Sequence, residues 1–335
     1  MEVINVCLDR LSKGRDLDYQ LSRQAFERIF ENKVSPVQTA ALLMGLSAKR
    51  ETEDEILGAV DVALDKARKV KGLGQILVDT CGTGGDGKKS FNCSTAVAFF
   101  LADMGIQVVK HGNRAISSTC GSADVVEALD LPIVQEESLV QQELKKRNFV
   151  FLFAPYFHPC FANVAPIRKE LGVRTLFNLI GPLLNPAFPT HQIIGVPNQE
   201  FLPLVARVLA KKENIKKGCV VYGAKGFDEL TPCGINKIYF VENGSIFSFE
   251  LNPADYGFPI VEEEKLMCST KEEAILLQKQ VLLGRGPKEL KAMVALNLGC
   301  VLYLLKGKDL GLCFQEAREK VNTGVNSLFS KEQLC

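Results

Sequence analysis

Two polar, glycine-rich stretches, 79–95 (DTCGTGGDGKKSFNCST) and 110–127 (KHGNRAISSTCGSADVVE), each follow a short apolar run, and they constrain the fold more than anything else in the chain. An apolar run that breaks into glycines and reopens as an apolar helix is the punctuation of a βαβ unit. Here it recurs in succession: ILVD, GTGGDG, a helix around Ala96 to Met104, and then IQVVK. The stretches offer free backbone N–H groups, small hydroxyls, Lys88 and Lys89 before Asn92, and the cluster Lys110-His111-x-Asn113-Arg114. Together these suit a multiply anionic phosphate ligand at the carboxyl ends of two successive strands.

The rest of the chain fits an α/β class with a helical opening. The first seventy residues carry helical periodicity in three pieces, around Leu21 to Phe30, Pro36 to Leu46 and Glu55 to Val70. Ser35-Pro36 reads as a cap followed by proline at the first helical position, and the ETEDE run places acids where a helix dipole favours them. Gly72 and Gly74 are expected to end the third helix. Further strands are expected at FVFLF (149–153), QIIGV (192–196), CVVYG (219–223), KIYFV (237–241) and SIFSF (245–249), the last two forming an antiparallel hairpin around Glu242, Asn243 and Gly244. Helical patterns at 200–211, 271–283, 288–305 and 309–328 cover the sheet. The segment Cys160 to Leu184 breaks the alternation with helix-like texture, so it is expected to pack on the N-terminal helices. The domains expected are therefore 1–72, small and helical with a later insertion from about 160–185, and 73–335, large and α/β with a central, mostly parallel sheet.

Bulk properties exclude several functions. A length of 335 residues buries a sizeable core, and a formal net charge of +1 provides no global field for nucleic acid or an anionic membrane. Any anion site must be local. Eleven scattered cysteines, never in C-x-x-C spacing, read as reduced thiols and not as a zinc or iron–sulfur site. No signal-peptide pattern opens the chain and no apolar run reaches the roughly 18 residues of a spanning helix, so a soluble cytoplasmic protein is expected.

Two common nucleotide motifs fail on inspection. Gly82, Gly84 and Gly87 satisfy G-x-G-x-x-G, but a dinucleotide site wants an acid near the end of the second strand, where this chain has Lys110-His111. A Walker reading has Gly82, Gly87 and Lys88 in place, yet Lys89 stands where Ser or Thr must hold magnesium. A glycine turn needed only for packing and a solvated polar loop are the bland alternatives for the two stretches. Asn92, Ser94 and Thr95 fall at the start of the next helix, where their side chains are placed to cap it, and Ser94 is the hydroxyl best placed for magnesium.

These motifs have a counterpart. GTGGD, N-x-S-T and KHGNRA-x-SS-x-x-GSAD, continued through FLFAPYFHP, PIRKELGVRTLFNLIGPLLNP and GFDEL, resemble the phosphoribosyl diphosphate site of the anthranilate phosphoribosyltransferases, over nearly the whole chain. That family is similar in fold to the pyrimidine nucleoside phosphorylases, with a small helical domain, a large α/β domain and homodimers formed through the helical part. The resemblance implies transfer of the phosphoribosyl group to anthranilate, giving N-(5-phosphoribosyl)anthranilate and pyrophosphate in tryptophan biosynthesis. From the first stretch it implies Gly82, Gly85, Asp86, Ser90, Asn92, Cys93, Ser94 and Thr95 as donor-binding. From the second it implies Lys110, His111, Gly112, Asn113, Arg114, Ala115, Ile116, Ser117, Ser118 and Ser122. It further implies Mg²⁺ at Ser94, Asp228 and Glu229, and anthranilate near Gly82, Asn113 and Arg168. Ser90 in place of the usual threonine and Cys93 inside N-x-S-T are small departures.

The chemistry asks for such groups. Ribosyl transfer from a diphosphate develops an oxocarbenium-like sugar and a leaving pyrophosphate, which a magnesium ion on one or two carboxylates helps neutralise. The acceptor amine is already neutral and nucleophilic, so a strong base is unnecessary. An arginine fork on its carboxylate orients it. His111 and His158 are possible pocket residues, with a purely structural role equally open to His158. A nucleoside phosphorylase and a catalytically silent, nucleic-acid-binding paralogue are the rival readings. KHGNR and the tandem acids favour the diphosphate donor, and the neutral charge and Arg168 disfavour the silent paralogue.

Overall fold

The computed structural model describes residues 2–114, 119–326, 328–329 and 331–334. The chain divides into two compact units, Met1–Lys69 with Ala154–Pro186, and Val70–Phe153 with Ala187–Cys335. The smaller opens with α1 (Val3–Ser12), α2 (Tyr19–Phe30), α3 (Pro36–Lys49) and α4 (Glu53–Asp65).

Four helices therefore stand where three were expected. The first, α1, buries Ile4, Cys7 and Leu11 at i, i+3, i+7 spacing, a helical stripe that the three-piece reading passes over. The caps explain the starts of α3 and α4: Ser35 with Gln38 and Thr52 with Glu55 form reciprocal capping boxes. The end of α4 differs from expectation. The helix stops at Asp65, well before Gly72, because tertiary contacts capture the following residues: the Arg68 amide donates to the Phe157 carbonyl at 2.9 Å, and its guanidinium lies 4.0 Å from the Tyr156 ring centroid. The unit is pinned by Glu55, fully buried, whose carboxylate accepts from the Leu17 amide, the Thr52 amide and Lys49 Nζ, each at 2.8 Å.

The larger unit follows as β1 (Val78–Gly82), α5 (Cys93–Asp103), β2 (Val108–Gly112), α6 (Ser122–Ala128), β3 (Ile133–Val134), α7 (Glu137–Arg147) and β4 (Phe149–Phe153). The chain then contributes α8 (Ala154–Phe157), α9 (Ala165–Leu171) and α10 (Phe177–Ile180) to the smaller unit. There Phe161 and Phe177 join Phe26 and Phe30 in one aromatic cluster, with ring centroids 5.2 to 6.1 Å apart. The larger unit resumes with β5 (His191–Gly195), α11 (Phe201–Ala210), β6 (Lys217–Tyr222), β7 (Asn236–Glu242), β8 (Ser245–Leu251), α12 (Lys271–Leu282), α13 (Lys288–Lys306), α14 (Leu310–Thr323) and α15 (Lys331–Leu334).

Among the described residues the sheet has eight strands in the order β3-β4-β2-β1-β5-β6-β7-β8. The first six pair in parallel, and β7 and β8 are antiparallel, forming the expected hairpin. Strands buried on both faces read as continuous apolar runs, which is why FVFLF coincides with β4 residue for residue. Strand β3 and helix α7 were not expected. Two residues are too few for a period, and α7 buries only Val140 and Leu144. Strand β1 lies between β2 and β5, and all three end in glycine, with Gly82 in register with Gly195. Ligands of open α/β sheets bind at this carboxyl edge.

Candidate active site

The loop after β1 is built to expose backbone. Gly84, Gly85 and Gly87 all take positive φ, from 69° to 75°, a backbone conformation that glycine adopts without strain. Asp86 serves the loop itself: it accepts from the Lys88 amide at 2.9 Å and from Ser90 Oγ at 3.2 Å. Lys88, one of the two loop lysines, is drawn aside by Glu263 and lies 4.7 Å from the centroid of the Phe227 ring.

Helix α5 starts differently from expectation. Asn92 makes no side-chain cap; its Nδ2 donates to the Cys120 carbonyl at 2.7 Å, tying the first stretch to the second. Cys93 and Thr95 are fully buried, so of the N-x-S-T motif only Asn92 and Ser94 keep partial exposure. The cap comes from Glu229, whose Oε1 accepts the Ser94 amide at 3.0 Å.

At the end of β2, Lys110 is 2% exposed, and its ammonium donates to the Thr80 carbonyl and, at 3.3 Å, to Ser94 Oγ. Burial lowers its pKa. Its charge therefore sits behind Ser94, instead of standing in the open like a surface phosphate ligand. His111 is buried beside it. Gly112 lets Ser122 approach, since a Cβ there would lie 2.3 Å from Ser122 Oγ. The Asn113 carbonyl accepts from Ser122 Oγ at 3.3 Å and from the Ala123 amide at 3.2 Å. Arg114 is exposed and forked onto Glu127. Ala115, Ile116, Ser117 and Ser118 lie outside the described residues.

The acidic pair is held against these elements by close backbone approach. A Cβ on Gly195 would fall 1.4 Å from the Asp228 carbonyl oxygen, and one on Gly223 would fall 1.9 Å from that of Glu229. Asp228 Oδ2 accepts the Gly84 amide at 2.8 Å. A small pocket at this edge is lined by Thr80, Ser94, Gly195, Asp228, Glu229 and Asn297, among others. Burial, and then the neighbouring Asp228, push the Glu229 carboxyl up to about 8. Its Oε2 is buried with no hydrogen-bond partner. Ser94, Asp228 and Glu229 thus converge, and the orphaned oxygen is what a hard cation would satisfy. No group of three or more His, Cys, Asp or Glu side chains suited to a metal occurs among the described residues, so the acidic pair suits an ion that keeps substrate and water oxygens.

The remaining candidates belong to the smaller unit. Arg168, on α9, is half-buried and 5.1 Å from the Phe177 ring centroid, with no ion pair to a described residue. His158 is 3% exposed, its Nε2 lies 2.7 Å from the Leu184 carbonyl oxygen, and it packs edge-on to Phe161. Burial lowers its pKa to about 4. His158 is a structural residue of this unit.

The chain is similar to known proteins along most of its length. The glycosyl transferase family's α/β domain matches residues 74–326, and its helical bundle domain matches residues 6–67. An anthranilate phosphoribosyltransferase of Nitratidesulfovibrio vulgaris is 46% identical over 307 residues, 90% of each chain. The chain belongs to the anthranilate phosphoribosyltransferase family. The crystal structure of the anthranilate phosphoribosyltransferase from Thermus thermophilus superposes with a TM-score of 0.89 at 35% identity, covering 100% of this chain and 98% of that one. The enzyme from Saccharomyces cerevisiae, in complex with PRPP and Mg, gives 0.87 at 25% identity, covering 99% and 95%.

Family membership does not by itself identify the groups that support the site, and sequence reasoning missed three: Gly195, Gly223 and Asn297. Asn297 left a signal, a lone amide within the otherwise apolar run AMVALNLGC of α13. The glycines left none, because a close approach across the sheet edge has no local signature.

Proposed function

We propose that this chain transfers the phosphoribosyl group of phosphoribosyl diphosphate to anthranilate, releasing pyrophosphate and N-(5-phosphoribosyl)anthranilate for tryptophan biosynthesis. The observation that carries the reading is the joining of the acidic pair to the phosphate-binding backbone: Asp228 to the Gly84 amide and Glu229 to the Ser94 amide. A diphosphate entering this edge meets the glycine loop, the N-terminus of α5, and a buried ammonium behind Ser94.

Ser94, Asp228 and Glu229 would hold Mg²⁺, which when bound offsets the charge gathering on the leaving pyrophosphate. The stretch that opens at Lys110 holds the ribosyl phosphate end and presents Asn113 to the acceptor, while Gly82 lets the Asp228 carboxylate close in, since a Cβ there would lie 2.1 Å from Asp228 Oδ2. Arg168, with no ion pair to a described residue, meets the anthranilate carboxylate with a fork of donors and so aims the neutral amine. No histidine need act as a strong base.

The chain forms a homodimer through its helical unit in this reading. Support comes from α3, where Val37, Ala41, Met44 and Ala48 are exposed at helical spacing, Val37 by 78%. A cytoplasmic setting is supported by the ten described cysteines, all free. No helix among the described residues is long and apolar enough to cross a membrane.

The test is anthranilate fluorescence, which should fall only when phosphoribosyl diphosphate and Mg²⁺ are both present. Turnover without the diphosphate donor would overturn the assignment, and turnover of a pyrimidine nucleoside with phosphate would replace it.

A further inference from the structure

Asn297 lies in the middle of α13, 4% exposed among Leu296, Leu298 and other apolar residues. A buried amide survives in such a place only if its polar atoms are answered. Here all of them are. Its Oδ1 accepts the Leu230 amide at 3.0 Å, and its Nδ2 donates to the Leu230 carbonyl at 2.8 Å and the Met293 carbonyl at 2.9 Å. Cys93 Sγ stands 3.3 Å from the same nitrogen. The orientation is forced, because a flipped amide would set its NH₂ against the Leu230 N–H and its oxygen against two carbonyls.

The partners explain what the amide is for. Leu230 follows Glu229 directly, and Asn297 engages both of its backbone polar groups as a neighbouring strand would. Cys93 precedes Ser94, whose amide meets Glu229 Oε1. One side chain thus grips the residue next to each of two groups whose spacing decides whether a cation can sit between them. Its one bond within α13, to the Met293 carbonyl, is not needed by the helix, since a leucine would serve there equally well.

We infer that Asn297 is a positioning residue for the cation and diphosphate site, acting through Leu230 and Cys93 to fix the Asp228–Glu229 loop against the start of α5. The inference rests on the assignment of Ser94, Asp228 and Glu229 as the metal-holding groups. Supporting residues around a metal site govern its affinity by roughly 10- to 100-fold, and a loss in that range is expected when Asn297 is replaced.

The experiment is Mn²⁺ binding by electron paramagnetic resonance, in the presence of phosphoribosyl diphosphate and without turnover, paired with thermal melting. The variants are Asn297→Leu, Asn297→Ser and, as a packing control, Leu302→Ala on the same helix. Both Asn297 variants should bind Mn²⁺ at least about tenfold more weakly, while the anthranilate KM stays within about twofold. Leu302→Ala should melt earlier yet bind Mn²⁺ like the parent. Asn297→Ser retains a hydroxyl and keeps the measurement possible if the leucine variant does not fold. Parental Mn²⁺ affinity in a folded Asn297 variant, or an equal loss in Leu302→Ala, overturns the inference. Glu229→Ala separates the two levels. If it also binds Mn²⁺ normally, the metal assignment falls together with the inference; if it loses binding while the Asn297 variants do not, the inference alone falls.

Discussion

The Ser94 amide donates to Glu229 Oε1 across 135 residues of sequence, at 3.0 Å, so the helix that carries the N-x-S-T motif is capped by an acid from another loop. A carboxylate there is favoured by the helix dipole, yet it is also buried and adjoins Asp228, which opposes its ionisation. A divalent cation resolves that conflict by favouring the ionised form. Glu229→Ala should therefore lose the magnesium response of the initial rate, or the activity itself by more than about 100-fold. A magnesium titration unchanged from the parent would place the metal elsewhere.

Close backbone approach gives a second expectation. Gly195→Ala would drive a methyl to 1.4 Å from the Asp228 carbonyl oxygen, which cannot swing aside as a side chain could. It should cost more than about 2 kcal/mol in urea unfolding and remove most of kcat/KM, because the acidic loop must move. Gly84→Ala meets nothing within 4 Å and suffers only from its φ of 69°, a strain of about 1 to 2 kcal/mol. Equal loss of stability and activity in the two variants would mean that the loop is not set by the Gly195 contact.

What the sequence disclosed and what it hid follow from distance along the chain. The strand at 149–153 and the hairpin of β7 and β8 are local patterns and could be read directly, as could the glycine loop. Hidden features arise from residues far apart in sequence. Lys110 looks like an open phosphate ligand in KHGNR, but its position on the central strand β2 turns it under Thr80 and Ser94. Asn92, Ser94 and Thr95 look like capping residues, yet the cap arrives from Glu229. Helix α7 stayed illegible because little of its surface is buried, and β3 because two residues carry no period.

Arg168 makes a substrate-specific expectation. Burial lowers its pKa, no ion pair to a described residue offsets that, and a carboxylate is its natural complement. Hydrogen bonds to a charged group contribute about 1.5 to 3 kcal/mol, so Arg168→Ala should raise the anthranilate KM by roughly 10- to 100-fold. The KM for phosphoribosyl diphosphate should change far less. Initial rates with each substrate varied in turn decide it, and equal loss for both would remove Arg168 from acceptor binding.

His158 predicts an acid weakness of the smaller unit. In the unfolded chain the imidazole takes up a proton near 6.5, whereas burial beside Phe161 keeps it neutral down to about 4, outweighing the bonds to the Leu184 and Ala63 backbone, which favour the protonated ring. Between those values the unfolded state binds more protons than the folded state, so stability is full above about 6.5 and falls as pH drops toward 4. The loss between pH 7 and pH 4.5 is roughly 2 to 3 kcal/mol from this group. Glutamine at this position cannot titrate and still reaches for the Leu184 carbonyl. His158→Gln should therefore flatten that part of the acid limb when urea unfolding is compared at the two pH values. Parallel losses in parent and variant would mean that another buried group carries the acid sensitivity.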